Sequence, residues 1–358
     1  MASEDSNIFK ALESQSEAAE PMSTRERWMA WIDLWIIAPA RIMWIDRRTR
    51  IGSIIVALYL LTGSVGVWLT EEPELNEASP LRGPFPGGII PGGQESWLVV
   101  QDTTLLGLTV PWPTLNYVFG TNNTGQDIFE LLVHATPPML EMALVGGIAT
   151  TLIGVVVGTF AGYKGGRIER LLMTATDIQM AVPGLPLLIV LAVAIEPQEP
   201  WVVGLLLSVD AWAGLSRSLH SQVLALRSES YVEASRVLGL GEVSILRDDI
   251  LPNIMPFIMI NFMGNTIRVI AASVGLYFLG VLPYTTANWG VMTQNAYSNG
   301  AMLSAGTWHW LFLPIFAISL LGYGIIMISQ GMDRVFNPRV RARQSSTSEG
   351  GEAVAAME

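Results

Sequence analysis

The chain has no cysteine among its 358 residues, and it has only three histidines. Disulfide frameworks, cysteine-based zinc sites and thiol nucleophiles are therefore excluded. His134, His220 and His309 are far apart in the sequence and show none of the spacings of a metal-binding motif. Composition thus gives no support to a metal centre or to thiol chemistry.

Signatures of other catalytic classes are also missing. Neither of the two lysines, Lys10 and Lys164, follows a glycine as the lysine of a phosphate-binding loop does. The segment from Gly214 to Ser218 is not a nucleophile elbow, and no His-Glu-x-x-His occurs. We therefore expect no catalytic residues and no ATP hydrolysis in this chain.

Charge is scarce along the whole sequence. Charged residues make up 14% and hydrophobic residues 51%, and the mean hydropathy is +0.43. A soluble domain carries roughly 25% charged residues. The deficit indicates a protein whose main solvent is lipid.

The acidic residues behind the net charge of −11 are concentrated at the two ends of the chain. Residues 1–24 and 342–358 are expected to form solvated, disordered tails. Arginine supplies all but two of the 20 basic residues. This composition favours a salt-loving host such as a halophilic archaeon, with a high-GC genome as the alternative explanation.

Six apolar runs approach or exceed the roughly 20 residues that a membrane-spanning helix needs. They cover residues 51–70, 142–163, 171–195, 201–216, 250–281 and 310–332. The sequence therefore predicts an all-α membrane protein with six transmembrane helices.

A tryptophan-rich stretch precedes the first run. Within residues 25–50, the stretch 28–45 is apolar but interrupted by Asp33 and Arg41, and it holds four tryptophans. Because tryptophan favours the headgroup level, we expect an elbow helix lying on the inner face of the membrane. A seventh span, which would move the N-terminus outside, is the alternative.

Basic residues predict the orientation of the spans. Arginines and Lys164 cluster before the first run, after the second, between the fourth and fifth, and after the sixth. Since such residues accumulate in cytoplasmic loops, both termini are predicted to be cytoplasmic. The long loop 71–138 is then external, with a small hairpin expected within 97–110. A lid or a contact for an external partner would suit its length.

Residues 221–252 form a polar insert between two apolar runs. Helical spacing of apolar residues predicts a helix over 221–238, which Gly239 can end in the left-handed conformation. A second short helix over 242–250 leads to Pro252 and the fifth span. The alternative is an ordinary cytoplasmic loop.

This insert resembles the EAA loop by which ABC importer permeases dock their ATPases. The pattern is Glu-Ala-Ala, three residues, Gly, nine residues, Ile, one residue, Leu-Pro. The matching residues are Glu233, Ala234, Ser235, Gly239, Leu251 and Pro252. Ser235 replaces the second alanine, and Asp249 occupies the isoleucine position, with Ile250 next to it.

Other motifs occur in the order found in the dipeptide, oligopeptide and nickel branch of that family. They are Gly120 to Asp127, Ala161 to Gly166, Asp177 with Pro183-Gly184, Phe278 to Gly280, Trp289-Gly290, and Asn337 to Arg339. The resemblance covers residues 51–341 and is to the C-type permease of the pair. Asn122 and Gln126 replace an acid and a base, and the loop 71–118 is not typical of the branch.

The resemblance implies the type I importer permease fold, with a permease core over 139–341. It also implies that a coupling loop, residues 221–252, fits a cleft of an ATPase. The residues carried over are Tyr231, Glu233, Ala234, Ser235, Arg236, Gly239, Leu251 and Pro252. Glu233 and Arg236 would make charge-assisted contacts there, and Gly239 would allow close approach.

The resemblance further implies a set of partners. They are a homologous second permease, two cytoplasmic ATPase subunits, an extracytoplasmic solute-binding protein and membrane lipid, without nucleic acid. This chain would bind no cofactor, because ATP and Mg²⁺ would sit on the ATPases. The substrate would be a dipeptide or oligopeptide, with nickel or an oligosaccharide as alternatives.

Polar groups inside the apolar runs suggest a translocation path. Asn261, Asn265 and Arg268 share one helical face, and Asp177 and Asp210 could complete the path. Arg268 would meet a peptide carboxylate or, in the structural alternative, pair with Asp177, Asp210 or the partner permease.

A possible modification site lies in the predicted external loop. Asn122-Asn-Thr124 is a glycosylation sequon, although so short a pattern is more often due to chance.

Two further function classes stay open. A secondary transporter would work without an ATPase and would often show inverted repeats, which the sequence does not display. An intramembrane enzyme would need paired catalytic groups, for which Asp177 and Asp210 are the candidates.

Overall fold

The computed structural model describes residues 44, 46–84, 98–105, 108–115, 117–283, 288–303 and 306–336. Nine helices are numbered along this part of the chain. They are α1 (Arg47–Leu69), α2 (Ile128–Lys164), α3 (Gly166–Ala181), α4 (Gly184–Ile195), α5 (Pro200–Leu226), α6 (Ser230–Val237), α7 (Glu242–Phe278), α8 (Trp289–Ser298) and α9 (Trp308–Phe336). Between α1 and α2, strands β1 (Leu98–Leu105) and β2 (Leu108–Leu115) pair as an antiparallel hairpin.

Within the described residues, five helices are long and apolar enough to cross a membrane: α1, α2, α5, α7 and α9. The pair α3 and α4 makes a sixth span when counted together, although the two helices meet at an angle of 89°. The five long helices and this bent pair together match the six membrane-spanning segments that the sequence predicts.

Helices α2 and α5 form the most extensive helix pair of the bundle and run parallel. Glycines of α2 let the two backbones approach closely. A β-carbon added at Gly158 would lie 2.5 Å from the carbonyl oxygen of Ser216, and one at Gly146 would lie 2.8 Å from that of Gly204. Such close approach is typical of helix packing in membranes. The pair thus forms a continuous element through the bundle.

Helix α1 packs along α9 in the opposite direction. A β-carbon at Gly52 would lie 2.5 Å from the carbonyl oxygen of Gly324. Farther along, the hydroxyl of Tyr59 donates to the carbonyl oxygen of Ala317 at 2.7 Å. Because these partners are spread over several turns, the first helix is attached to the bundle along much of its length.

The bundle has two ends with separate apolar cores. The Gly120 end carries residues 71–84 and 117–127, and its core joins α1, α2, α4, α5, α7, α8 and α9 around Trp289 and Trp310. The Gly239 end carries residues 227–250. Its smaller core joins α2, α5 and α7 to this segment through Val232 and Ile245.

At the Gly120 end, residues 71–84 are hydrogen-bonded to residues 117–127. The backbone N–H of Thr121 donates to Arg82 at 3.0 Å, and that of Ala78 donates to Gly125 at 3.0 Å. The side-chain amide of Asn122 donates to the side-chain oxygen of Gln126 at 2.9 Å, which is a neutral bond. The predicted external loop is therefore ordered on both sides of the hairpin.

Several predicted boundaries are wrong. The second span begins at Ile128, so the last part of the predicted loop 71–138 is helical despite Pro137 and Pro138. Asp127 caps this helix by accepting from the N–H of Phe129 at 2.7 Å. Burial of Ile128 and Met139 stabilises the added turns.

The third predicted span, 171–195, is not one straight helix. Val182 is extended, because a residue before proline avoids the helical conformation, and the chain turns at Pro183. The continuous helix predicted over 221–238 is also wrong. Helix α5 ends at Leu226, and α6 starts at Ser230, which turns Val232 into the core.

The hairpin is confirmed, although it extends beyond the predicted 97–110. The tails 1–24 and 342–358 lie outside the described residues. So does nearly all of the elbow predicted over 25–50, whose last residues, from Arg47, belong instead to α1. The segment entering the fifth span continues into it without a break, so Pro252 lies inside α7.

Candidate functional site

The segment 227–250, called here the coupling segment, is built on a left-handed turn. Gly239 has a φ of +78°, where a side chain would be strained. The N–H of Leu240 donates to Ser235 and that of Gly239 donates to Arg236, at 3.2 and 3.0 Å. These two bonds form a Schellman motif that ends α6. The predicted role of Gly239 as a helix terminator is confirmed.

The coupling segment is anchored by apolar side chains on one side. Val232 and Ile250 are fully buried, and Ile245 is 1% exposed. They pack in the Gly239-end core with Leu219 and Val223 of α5. Each buried aliphatic side chain stabilises this arrangement by about 1.5–3 kcal/mol. The segment therefore has a defined position on the bundle.

The opposite side of the coupling segment exposes apolar residues. Val237 is 83% exposed, Leu238 79% and Val243 68%. Leu240, beyond Gly239, is half exposed. Four large aliphatic side chains on one small, firmly anchored tip are typical of a protein-binding surface. We call these four residues the apolar tip.

Polar contacts also tie the coupling segment to the end of α2. The guanidinium of Arg236 lies 5.0 Å from the ring centre of Tyr163, and Lys164 forms an ion pair with Glu242. Arg227 donates to the carbonyl oxygen of Gly162 at 3.0 Å. Arg236 is thus engaged within the chain, whereas Glu233 is exposed and has no ion pair among the described residues.

The other residues carried over to the loop have mixed positions. Tyr231, Ala234 and Pro252 are exposed, whereas Ser235 and Leu251 are partly buried. The hydroxyl of Tyr231 accepts from the side-chain amide of Asn253 at 3.4 Å, which links α6 to α7. The motif residues therefore lie on α6, on the turn at Gly239 and on the first part of α7.

The predicted polar path is only partly assembled. Arg268 of α7 donates to Asp210 of α5 at 2.9 Å, which selects one of its three proposed partners. Asn265 donates to the hydroxyl of Thr151 at 3.2 Å. Asn261 donates to the Phe257 carbonyl of its own helix at 2.8 Å. These three residues lie along the central part of α7, away from both of its ends.

Asp177 lies elsewhere. It forms an ion pair with Arg217, at an open cavity of about 630 Å³ between α3 and α5. His220 and Glu169, 2.9 Å apart, line the same cavity. Asp177 is therefore not grouped with Asp210, and the two carboxylates do not form a catalytic pair.

Two features escaped the sequence reasoning. Gly184, the first residue of α4, lies against the carboxylate of Asp210, where an added β-carbon would come within 2.6 Å of Cγ. The dipeptide Pro183-Gly184 signals a turn, but Asp210, the residue that Gly184 contacts, is distant in the sequence. The apolar tip was also missed, because helical spacing of apolar residues does not show which of them are buried and which are exposed.

The glycosylation hypothesis for Asn122 is not supported by the geometry. Its side chain is 7% exposed and donates to Gln126, while its carbonyl oxygen accepts from the N–H of Thr124 at 2.9 Å. Because the amide nitrogen is buried and bonded, it is not an accessible acceptor of a glycan.

Comparisons with known proteins find curated relatives, similar solved structures and a matching family. Curated relatives include the dipeptide transport system permease protein DppC of Bacillus subtilis (strain 168), 31% identical over 230 residues, covering 64% of this chain and 71% of that protein. The oligopeptide transport system permease protein OppC of the same strain is 29% identical over 242 residues, covering 67% and 77%.

Among solved structures, one similar chain comes from an inward-facing conformation of the MetNI methionine ABC transporter. It is 19% identical with a TM-score of 0.45, covering 56% of this chain and 96% of that chain. The family described as binding-protein-dependent transport system inner membrane component matches residues 154–342, more than half of the sequence. The chain therefore belongs to this family, the membrane-spanning permease subunits of ABC importers.

Proposed function

We propose that this chain forms half of the pathway of an ATP-driven peptide importer and that its apolar tip docks an ATPase subunit. The observation that carries the proposal is the contrast within the coupling segment. One side is fully buried in the bundle, and the other presents four exposed aliphatic residues at a fixed position. The relatives are named for dipeptide and oligopeptide transport, which supports peptides as the substrate class.

The orientation follows from the same assignment. The Gly239 end would be cytoplasmic, together with both termini, and the basic clusters of the sequence support this side. The Gly120 end would face outward and receive a solute-binding protein. The acidic, lysine-poor composition supports a salt-rich host.

The assembly would contain a second, similar permease and two ATPase subunits. ATP and Mg²⁺ would be bound by the ATPases, with no cofactor on this chain. Closure of the ATPases would move the coupling segment. Since this segment continues into α7 as one helix, its movement would reach Arg268 directly.

Docking can be tested with one charge at each end of the bundle. Leu238→Glu should abolish co-purification of the ATPase subunits with a tagged chain, because a carboxylate cannot be desolvated in an apolar contact. Leu303→Glu is the matched control, since Leu303 is 93% exposed at the Gly120 end. Retention of the ATPases by the Leu238 variant would refute the docking surface.

Coupling can be tested with two glycines of similar conformation. Gly239→Val should leave membrane insertion intact but separate ATP hydrolysis from uptake, because the turn at φ +78° cannot be kept. Gly280, with φ +69° and equally open surroundings at the other end, provides the control Gly280→Val. Normal peptide uptake by the Gly239 variant would contradict the mechanism.

A further inference from the structure

The ion pair between Asp210 and Arg268 lies several turns from the ends of α5 and α7. Asp210 follows Pro200 by ten residues, and Arg268 precedes Phe278 by ten. At about 1.5 Å per residue, Asp210 lies about 15 Å from the start of α5, and Arg268 lies about 15 Å from the end of α7. Both of these helix termini are at the Gly120 end of the bundle. With these helix termini at the boundary of a bilayer core about 30 Å thick, the pair would be near its middle. Charges at this depth are costly and need a specific reason.

Asp210 is held from two directions. Its carboxylate accepts from Arg268 of α7 at 2.9 Å, and the first turn of α4 lies against it at Gly184. A helix N-terminus favours a carboxylate, because the unpaired N–H groups there carry partial positive charge. A β-carbon at Gly184 would lie 2.6 Å from Cγ of Asp210, so the carboxylate would have to shift, and α4, α5 and α7 meet at this one side chain. Its side chain is 15% exposed.

Arg268 is in a different situation, since its side chain remains 58% exposed although it is paired. The same face of α7 carries Asn261, which is partly buried, and Gly264, which has open space beside it. A face of polar and small residues at this depth is unsuited to lipid. A guanidinium has five N–H donors, and the bond to Asp210 uses one.

We propose that Asp210 is a positioning residue that holds Arg268 towards the pathway, where Arg268 binds the C-terminal carboxylate of a peptide in transit. The inference rests on the proposed function, because it takes the open face of α7 as the pathway side. Arginine matches a carboxylate with two parallel N–H···O bonds. Gly184 contributes by leaving room for Asp210 to keep its orientation.

The test compares uptake of one peptide with a free and with an amidated C-terminus. Complete transporter in liposomes, with saturating binding protein, is measured for wild type, Arg268→Gln, Gly184→Ala and Gly214→Ala. Gly214 is a matched control, because its added β-carbon would meet nothing within 4 Å. Each variant's preference is divided by that of wild type, so the contribution of the binding protein cancels.

We expect Arg268→Gln and Gly184→Ala to lower the free-acid preference in apparent KM about tenfold, the change that 1.4 kcal/mol of lost binding produces. ATP hydrolysis should be retained, and Gly214→Ala should behave as wild type. An unchanged preference in Arg268→Gln would overturn the proposal. Wild type without ATP-dependent peptide uptake would instead overturn the proposed function.

A charge exchange separates recognition from a purely structural pair. The double variant Asp210→Arg with Arg268→Asp restores an ion pair but puts the carboxylate on the open face. Its free-acid preference should stay as low as in Arg268→Gln. Recovery of the wild-type preference would mean that the pair only holds α5 to α7, for example against the second permease, and would overturn the assignment.

Discussion

The two ends of the bundle are built in opposite ways. At the Gly120 end, seven helices contribute to one core, and residues 71–84 are hydrogen-bonded to residues 117–127, just before α2. At the Gly239 end, the core is smaller, and the apolar tip remains exposed. The first end also exposes single apolar side chains such as Leu303, which is 93% exposed, whereas the second exposes four of them within seven residues of one anchored segment.

The continuous pair α2 and α5 connects these ends. Its glycine contacts extend from Gly146 at the start of the pair to Gly162, beside the coupling segment. Closely packed helices with little room for adjustment move together more readily than they deform. The coupling segment is thus packed against this pair through α5 and continues directly into α7.

The largest expected effect comes from separating α2 from α5. In Gly158→Leu, the new side chain collides with the backbone of Ser216, so overpacking should cost about 3 kcal/mol or more. Little folded protein should survive extraction, and both ends should lose protection from proteolysis. Gly214→Leu adds the same side chain on an open face of α5 and should extract normally. Equal yields of the two variants would contradict the close packing of this pair.

A truncation in each core directly compares the two ends. Leu276→Ala and Ile245→Ala each remove a fully buried side chain, at a cost of about 2–5 kcal/mol. We expect Leu276→Ala to lower the Tm of the whole bundle. Ile245→Ala should instead mainly increase hydrogen exchange over 227–250, because its core is local. Equal Tm losses without a local difference would show that the two cores unfold as one.

Much of the helical architecture could be predicted because lipid demands long apolar runs, and those runs are visible in the sequence. The Schellman turn was also predictable, since Gly239 directly follows a helical pattern. The break at Pro183 was missed because the apolar run continues through it, and hydropathy does not report direction. The turn at residues 227–229 was missed because apolar spacing continues across it.

The candidate site shows a similar division. The motif order located the coupling segment, but exposure decides its function, and exposure depends on which side of α6 faces the core. For Arg268, the sequence left three partners open, since the choice depends on the relative rotation of α5 and α7. Gly184 acts through its lack of a side chain, so its partner is visible only in three dimensions.

A smaller effect is expected from Asp127 at the Gly120 end. Burial raises the pKa of its carboxyl from 3.8 to about 6, although the N–H groups of Phe129 and Tyr117 donate to it. The folded chain therefore holds more protons than the unfolded chain between about pH 4 and 6. Stability conferred by this end should fall as pH rises through that window, by at most about 3 kcal/mol.

Hydrogen exchange over 117–128 at several pH values measures this dependence. The side chain of the Asp127→Asn variant cannot ionise. Between pH 4 and 6, the protection of residues 117–128 should therefore change less with pH than in wild type, even if one capping bond is lost. Exchange over 227–250, distant from Asp127, serves as the internal control. A slope that persists unchanged in the variant would assign the dependence to another group.

The smallest effect is expected from the ion pair of Lys164 with Glu242, which joins α2 to the coupling segment. Both side chains are partly exposed, so solvent and salt weaken the attraction, and a reversal should cost less than about 1 kcal/mol. Lys164→Glu should slightly increase exchange over 227–250, and adding Glu242→Lys should reverse it. Arg247→Glu, at a side chain that is 83% exposed, is the control for a change in net charge. Lys164→Glu could instead increase exchange over 227–250 as much as Ile245→Ala does. The ion pair, and not the apolar core, would then hold the coupling segment on the bundle. The difference between the two ends would in that case be one of charge and not of apolar packing.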